Sequence, residues 1–431
     1  MTTRTALTGA HLSEIDALLE GTDTLLATSY PGDRPDRQPV HTVYVPADTC
    51  TPALAHEWGE RALDATRHVG GPAGLAAMIL ADDALAADVA PRVQAKLETE
   101  PVEDLRLDLE DGYGDRGDET EDRDALAAAH HIATTVADGT APPFVGIRFK
   151  SFEAPTRARG LRTLDLVVSA LVDAGGLPDG FVLTLPKVTT VDQVDAMIRV
   201  CERLEEAHGL AAGRLRFEVQ METPQLVLAA DGTAPVARVL HRAPGRVSSL
   251  HYGTYDYSAA LGISAQHQAM DHPAAEHAKQ VMQVAVAGTG VHLSDGSTNI
   301  VPVGSPQEME TAWRLHARLV GRSLAAGFYQ GWDLHPAQLA TRYIATYAFY
   351  RSGFGAAADR LDRYAGRRPG GVMDEPATAR ALARFVSRGL SCGALDPDEV
   401  SARCGMDADT LQGLAFPARG PRPARADPAS A

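Results

Sequence analysis

The chain has 431 residues, 45% hydrophobic and 22% charged, enough apolar material for a full core. Its formal net charge of -16 argues against nucleic acid, whose phosphates need a basic surface. No apolar run approaches the ~18 residues of a membrane span and no secretory signal opens the chain, so a cytoplasmic protein without a membrane partner is expected.

The first expected element is a helix, HLSEIDALLEG (11–21), followed by a polar loop, SYPGDRPDRQP (29–39). Eight short runs rich in β-branched and apolar residues then follow: HTVYVP (41–46), LRLDLED (105–111), FVGIRFK (144–150), FVLTLPK (181–187), RFEVQMET (216–223), SSLHYGTYD (248–256), VHLSDG (291–296) and FYQGWDLHP (328–336). Helical stretches separate them, such as 156–175 and 191–209, the latter closing on Gly209. Strands alternating with helices predict a parallel sheet, and eight of them predict a (β/α)8 TIM barrel. The acidic stretch GYGDRGDETEDRDA (112–125) reads as a mobile loop over the barrel mouth. Beyond residue 340 the alternation ends and helices separated by GRRPGG follow. The expected organisation is a barrel with an N-terminal helical extension over 1–340, a C-terminal helical lid over 341–416 and a disordered tail over 417–431. Cys50, Cys201, Cys392 and Cys404 are scattered without metal-type spacing and read as reduced small hydrophobes.

A buried parallel strand should read as apolar throughout. Here polar residues gather at the C-terminal ends of the runs: Glu110, Asp111, Arg148, Lys150, Lys187, Glu222, Asp256, Asp295, Asp333 and His335. That is the face where a barrel assembles its active site from several strands. Glu222 and Asp256 end consecutive strands. Two carboxylates that close repel unless a cation lies between them, and magnesium prefers one or two carboxylates with waters and substrate oxygens. The competing reading is a pair salt-bridged to Arg or Lys. Arg148 offers a fork for a substrate carboxylate or for enolate charge, and an ion pair with Glu110 or Asp111 would orient it. Lys187, among carboxylates, stays charged and reads as electrostatic rather than as a Schiff-base nucleophile. His335 reads as a positioned hydrogen-bonding residue, and the backbone N–H of Gly253 as a donor to a substrate oxyanion.

Seven segments together resemble the HpcH/HpaI aldolase, citrate lyase β-subunit and malyl-CoA lyase superfamily, the CitE-like enzymes. They are LDLED (107–111), IRF (147–149), LPK (185–187), METP (221–224), GTYDYSAALG (253–262), LHPAQL (334–339) and VMDEPATARAL (372–382), in the family's order over residues 40–385. The resemblance implies a carbon–carbon lyase or aldolase of the malyl-CoA lyase type, working on a 2-hydroxy or 2-keto acid through a metal-stabilised enolate. It implies Mg2+ (or Mn2+) on Glu222 and Asp256, and Arg148 as the carboxylate or enolate partner. Glu110, Asp111, Lys187, Gly253, Thr254 and Tyr255 would line the substrate site. Asp374 would be the catalytic acid/base, delivered across a subunit interface in a homotrimer or hexamer. The substrate would be a small carboxylic acid or its acyl-CoA. Two alternatives stand beside this: a CoA-independent class II-type aldolase on pyruvate or oxaloacetate, and a non-catalytic metabolite-binding barrel.

Overall fold

The computed structural model describes residues 6–366 and 375–417. Eight strands build one sheet: β1 (His41–Pro46), β2 (Asp104–Asp108), β3 (Phe144–Arg148), β4 (Phe181–Leu185), β5 (Phe217–Met221), β6 (Val247–Tyr252), β7 (His292–Ser294) and β8 (Gly331–Asp333). All pair in parallel, in the order β7-β6-β5-β4-β3-β2-β1-β8. A bridge between Ser294 and Gln330 joins the two ends, so the sheet closes as the expected (β/α)8 barrel. Most strands stop two to four residues short of the sequence runs. Glu110, Asp111, Lys150, Lys187 and Glu222 therefore fall in the loops beyond the strands, and Asp256 in the short helix Thr254–Ala260.

The barrel interior departs from the apolar expectation. Period two puts Asp104, Arg106 and Asp108 of β2 on one face, and likewise Glu218 and Gln220 of β5. The Arg106 guanidinium, 1% exposed, joins Asp104 to Glu218, with 3.0 Å to the latter. Glu218 also accepts from Tyr44 Oη at 2.7 Å and Thr184 Oγ1 at 2.6 Å. Tyr44 lies on β1, so its bond to β5 crosses the barrel. Buried charges are tolerated only when paired and hydrogen-bonded in this way.

Two carboxylates share the one guanidinium, and they divide its effect. Burial opposes ionisation of both. Arg106, His251, Thr184 and Tyr44 overcome it at Glu218 and hold that group down at about 2, whereas at Asp104 burial and the Glu218 charge prevail and push it up to about 6. A depressed carboxyl contributes stability above its ordinary value of 4.5, lost as pH falls toward 2. The raised Asp104 acts oppositely, favouring the fold as pH falls from 6 through 3.8. Comparing Tm of wild type and Glu218→Gln across this range should show the wild-type advantage shrinking as pH drops from 4.5 to 2. An advantage independent of pH would contradict it.

The helices hold three further differences. The acidic stretch after β2 is not one loop, because a helix starts at Asp118 and runs to Ala137. Asp118, Glu119 and Glu121 fill its first turn, where carboxylates complement the helix dipole. The N-terminal helix spans Gly9–Ser29, longer than expected, and buries no residue. Position 340 falls inside one continuous helix, Pro336–Tyr364. Its first half packs Leu339, Tyr343 and Tyr347 into the main core. Its second half packs Phe354, Ala358 and Leu361 against Val386, Leu395 and Leu411 in a separate cluster. Those partners come from helices Pro376–Ser391 and Ala408–Ala415 and from the turn between Ser391 and Pro397. All four cysteines are free. Among the described residues no helix is long and apolar enough to cross a membrane.

Candidate active site

The site lies where β2, β3, β4, β5 and β6 end. Arg148, the last residue of β3, is 3% exposed. Its Nε and Nη2 donate to the two oxygens of Asp108 at 2.7 and 2.6 Å, and Nη1 stands 3.4 Å from Glu110. The Tyr44 and Trp332 rings lie 4.8 and 5.4 Å from the guanidinium carbon. Burial alone would discharge the group, but Asp108 and Glu110 hold it firmly cationic. The orienting acid is therefore chiefly Asp108, which also accepts the N–H groups of Glu110 and Gly112 and so shapes the loop after β2.

Lys187 is the second cation. Its Nζ reaches Asp111 at 2.8 Å, Asp256 at 2.9 Å and Glu110 at 3.3 Å. Its backbone N–H donates to Glu222 Oε1 at 2.7 Å. This residue carries φ +50, unique among the described non-glycine residues. The left-handed turn aims the amide at Glu222 while the side chain bends over the carboxylates. Burial would lower the ammonium, but Glu222, Glu110, Asp111 and Asp256 outweigh it and keep it protonated. A protonated amine is no Schiff-base nucleophile.

Glu222 is 3% exposed and follows β5 directly. Burial, with Asp256 and Glu110 adding to it against Lys187 and Arg148, pushes its carboxyl up to about 8. The same forces bring Glu110 to about 7: burial first, then Asp111 and Asp108 against Arg148 and Lys187. Five carboxylates, from Asp108, Glu110, Asp111, Glu222 and Asp256, thus meet two cations. The surplus is negative and made wholly of oxygen donors, with Asp108, Glu110 and Glu222 buried and Asp111 and Asp256 half-exposed at the rim, which is the chemistry of a hard divalent cation. Among the described residues no three His, Cys, Asp or Glu side chains form a ready-made metal cage. Two carboxylates completed by water and substrate remain compatible with magnesium.

The other expected residues divide. Gly253 donates its N–H to Met221 O at 3.1 Å, so that amide is engaged and faces no substrate. What the glycine supplies is space, since a Cβ there would stand 2.6 Å from Glu222 Cβ. Thr254 is fully buried beside Gly296 with no hydrogen-bond partner for its hydroxyl. Tyr255 Oη accepts the Asn299 N–H at 2.5 Å, tying the short helix Thr254–Ala260 to the loop after β7. His335 caps helix Pro336–Tyr364, accepting from Ala337 N at 3.2 Å. Asp295 and Asp333 are not at the mouth. Asp295 is buried against Lys279, and Asp333 against Arg342 and His316. Lys150 ties down the loop after β2 through Leu109 O, Gly114 O and Glu121. Asp374 lies outside the described residues. Sequence reasoning missed Asp108, Tyr44 and Trp332. Period two from Arg106 marks Asp108 as inward, and period two from Thr42 marks Tyr44.

Fold and mouth together define a (β/α)8 barrel with an acidic, oxygen-lined site on its C-terminal face. The chain belongs to the family described as Domain of unknown function (DUF6986), whose model matches residues 19–419. Comparison with curated proteins finds no match. Among solved structures, native malate synthase of Haloferax volcanii at 3 mM glyoxylate is similar in fold at 16% identity, covering 89% of this chain and 99% of its own, with a TM-score of 0.50. Protein CitE of Mycobacterium tuberculosis, in complex with magnesium and acetoacetate, aligns at 18% identity over 81% of this chain and 98% of its own, TM-score 0.43. The citrate lyase β-subunit of M. tuberculosis, complexed with oxaloacetate and magnesium, aligns at 19% over 72% and 98%, TM-score 0.41. The likeness to malate synthase is one of fold.

Proposed function

We propose that the protein is a metal-dependent carbon–carbon lyase that cleaves or condenses a 2-hydroxy or 2-keto acid. The observation that carries this is the surplus of carboxylate around buried Glu222 and half-exposed Asp256, beside one aromatic-bracketed arginine. Glu222 and Asp256 would hold magnesium or manganese, which would supply Lewis-acid polarisation of a substrate oxygen. Arg148, its plane fixed by Asp108, Tyr44 and Trp332, would bind the substrate carboxylate and offset charge developing on an enolate. Lys187 would orient Glu222 and Asp256 and remain charged throughout. Asp374 would move the proton at the enolate carbon, from a neighbouring subunit of a homotrimer or hexamer.

The magnesium/glyoxylate complex of Haloferax volcanii malate synthase, similar in fold, supports this reading by analogy. One observation favours a CoA-independent aldolase as second reading. Among the described residues, the cations paired with Asp108, Glu110, Asp111 and Asp256 are Arg148 and Lys187. Both are already engaged with carboxylates rather than offered to the CoA phosphates.

The deciding experiment incubates the full chain with magnesium and, separately, malyl-CoA, citramalyl-CoA and free 4-hydroxy-2-keto acids. Cleavage of one class should occur, vanish in EDTA and return with Mg2+ or Mn2+. Full turnover in chelator, or a borohydride-trapped adduct on Lys187, would sink the proposal. Cleavage confined to free keto acids selects the second reading.

A further inference from the structure

At the opposite end of the barrel, below β7 and β8, lies a cavity of about 160 Å³. Its lining includes Arg34, Asp36, His292, Tyr329 and Arg388, with Ser387 and Ser391 flanking the last of these. A smaller cavity of about 60 Å³ beneath the barrel axis shares Asp36 and His292 and is lined by Arg216.

Charge there runs against the character of the molecule, whose net charge is -16. Arg34 and Arg388 line the larger cavity with Asp33 and Asp36, Arg216 lines the smaller one, and Arg384 reaches the group through Asp33. Arg384 pairs with Asp33 at 2.5 Å and Arg34 sits 3.6 Å from Asp36. Arg216 and Arg388 then have no carboxylate partner among the described residues. Buried Nε atoms of Arg34 and Arg216 lack any hydrogen-bond acceptor, an uncommon state for such groups. The Arg388 guanidinium carbon lies over the Tyr329 ring, 4.2 Å from its centroid, a cation–π contact that helps to place its fork. Burial and the charges of Arg34, Arg388 and Arg216 keep His292 neutral, so it adds no counter-charge.

We propose that this cavity binds a dianionic phosphoryl group between Arg34 and Arg388, with Arg216 behind it. With Arg384 neutralising Asp33, the charges around His292 are Arg34, Arg388 and Arg216 against Asp36, and that surplus of two positive charges matches a dianion. Guanidiniums with free N–H donors suit its oxygens bidentately, and Ser387 and Ser391 offer hydroxyls at the rim. The group can arrive as free phosphate or on a small phosphomonoester.

The test titrates the full chain calorimetrically with inorganic phosphate and, in a second arm, glycerol 3-phosphate, both at constant ionic strength. Saturable one-to-one binding is expected in at least one arm, and the tighter arm identifies the source. Arg34→Gln and Arg388→Gln should each weaken binding roughly 10- to 100-fold, the loss of a charge-assisted hydrogen-bond pair. Arg388→Lys keeps the charge and the helix and should still bind several-fold more weakly. On the unaltered chain, phosphate should protect Arg34 and Arg388 from phenylglyoxal, read by peptide mass spectrometry. No saturable binding in either arm overturns the proposal. So does binding that ignores the Arg34 and Arg388 variants and disappears in Arg148→Lys, which would place the anion at the mouth.

Discussion

Asp374→Asn is expected to slow turnover roughly 10²- to 10⁴-fold while leaving magnesium affinity unchanged, the effect of losing a general acid/base. A carboxylate that meets substrate only during proton transfer contributes nothing to holding the metal or the keto acid. Exchange of the donor's α-protons with deuterated solvent should fail in parallel, because it needs the same transfer without bond formation. Glu222→Gln separates the functions the other way. Metal affinity and turnover should fall together, by about 100-fold or more, since Lewis-acid stabilisation is worth several kcal/mol. Without metal the same variant should melt higher than wild type, because it removes a buried carboxyl whose ionisation burial opposes. Magnesium should then no longer raise its Tm. If Asp374→Asn exchanges and turns over normally, the acid/base must be sought at the mouth, beginning with Glu110 and Asp111.

Arg106→Met should destabilise the protein by about 3–5 kcal/mol, the range for breaking a buried ion pair on one side. Removing the guanidinium leaves Asp104 and Glu218 facing each other inside the barrel, both essentially without solvent. The triple replacement Asp104→Asn, Arg106→Met, Glu218→Gln should recover most of the loss, because no uncompensated charge then remains. Denaturant unfolding of the three proteins measures both effects. Arg106→Met unfolding at the wild-type midpoint would show that the network bears little stability. The two sites also meet physically. Tyr44 donates to Glu218 below and presents its ring to Arg148 above. Arg106→Met should therefore be assayed for stability before any kinetic change is assigned to the mouth.

The barrel was legible because eight apolar runs alternate with helical stretches, and closure leaves few other arrangements. β1 was recovered to the residue, as its run is bounded by the polar loop before it and Ala47 after it. The other strand ends were overrun, because a charge at a strand C-terminus and a charge in the loop beyond look alike in one dimension. Arg148, Lys187, Glu222 and Asp256 were singled out from the same pattern, and the structure brings them together with Glu110 and Asp111. The charges that close LRLDLED draw the eye to its end, whereas the period of two is what marks Asp108 as inward. The interior ions were hidden by the expectation that parallel strands are apolar, which holds for the helix-facing side of these strands alone. Asp295 and Asp333 show the opposite error. Asp333 ends β8 and Asp295 follows β7 directly, and both pair with residues on the outer helices.

The left-handed turn at Lys187 has a consequence for anyone redesigning this scaffold. A non-glycine residue in that region of backbone space carries a strain of order 1–3 kcal/mol. An optimiser scoring only thermal robustness would therefore nominate glycine or asparagine at this position. It would be repairing a bend that sets the amide against Glu222 and lays the ammonium across Asp111 and Asp256. Residue 187 is thus a place where backbone ideality and chemistry pull apart, and consensus-style stabilisation of this barrel should leave it untouched.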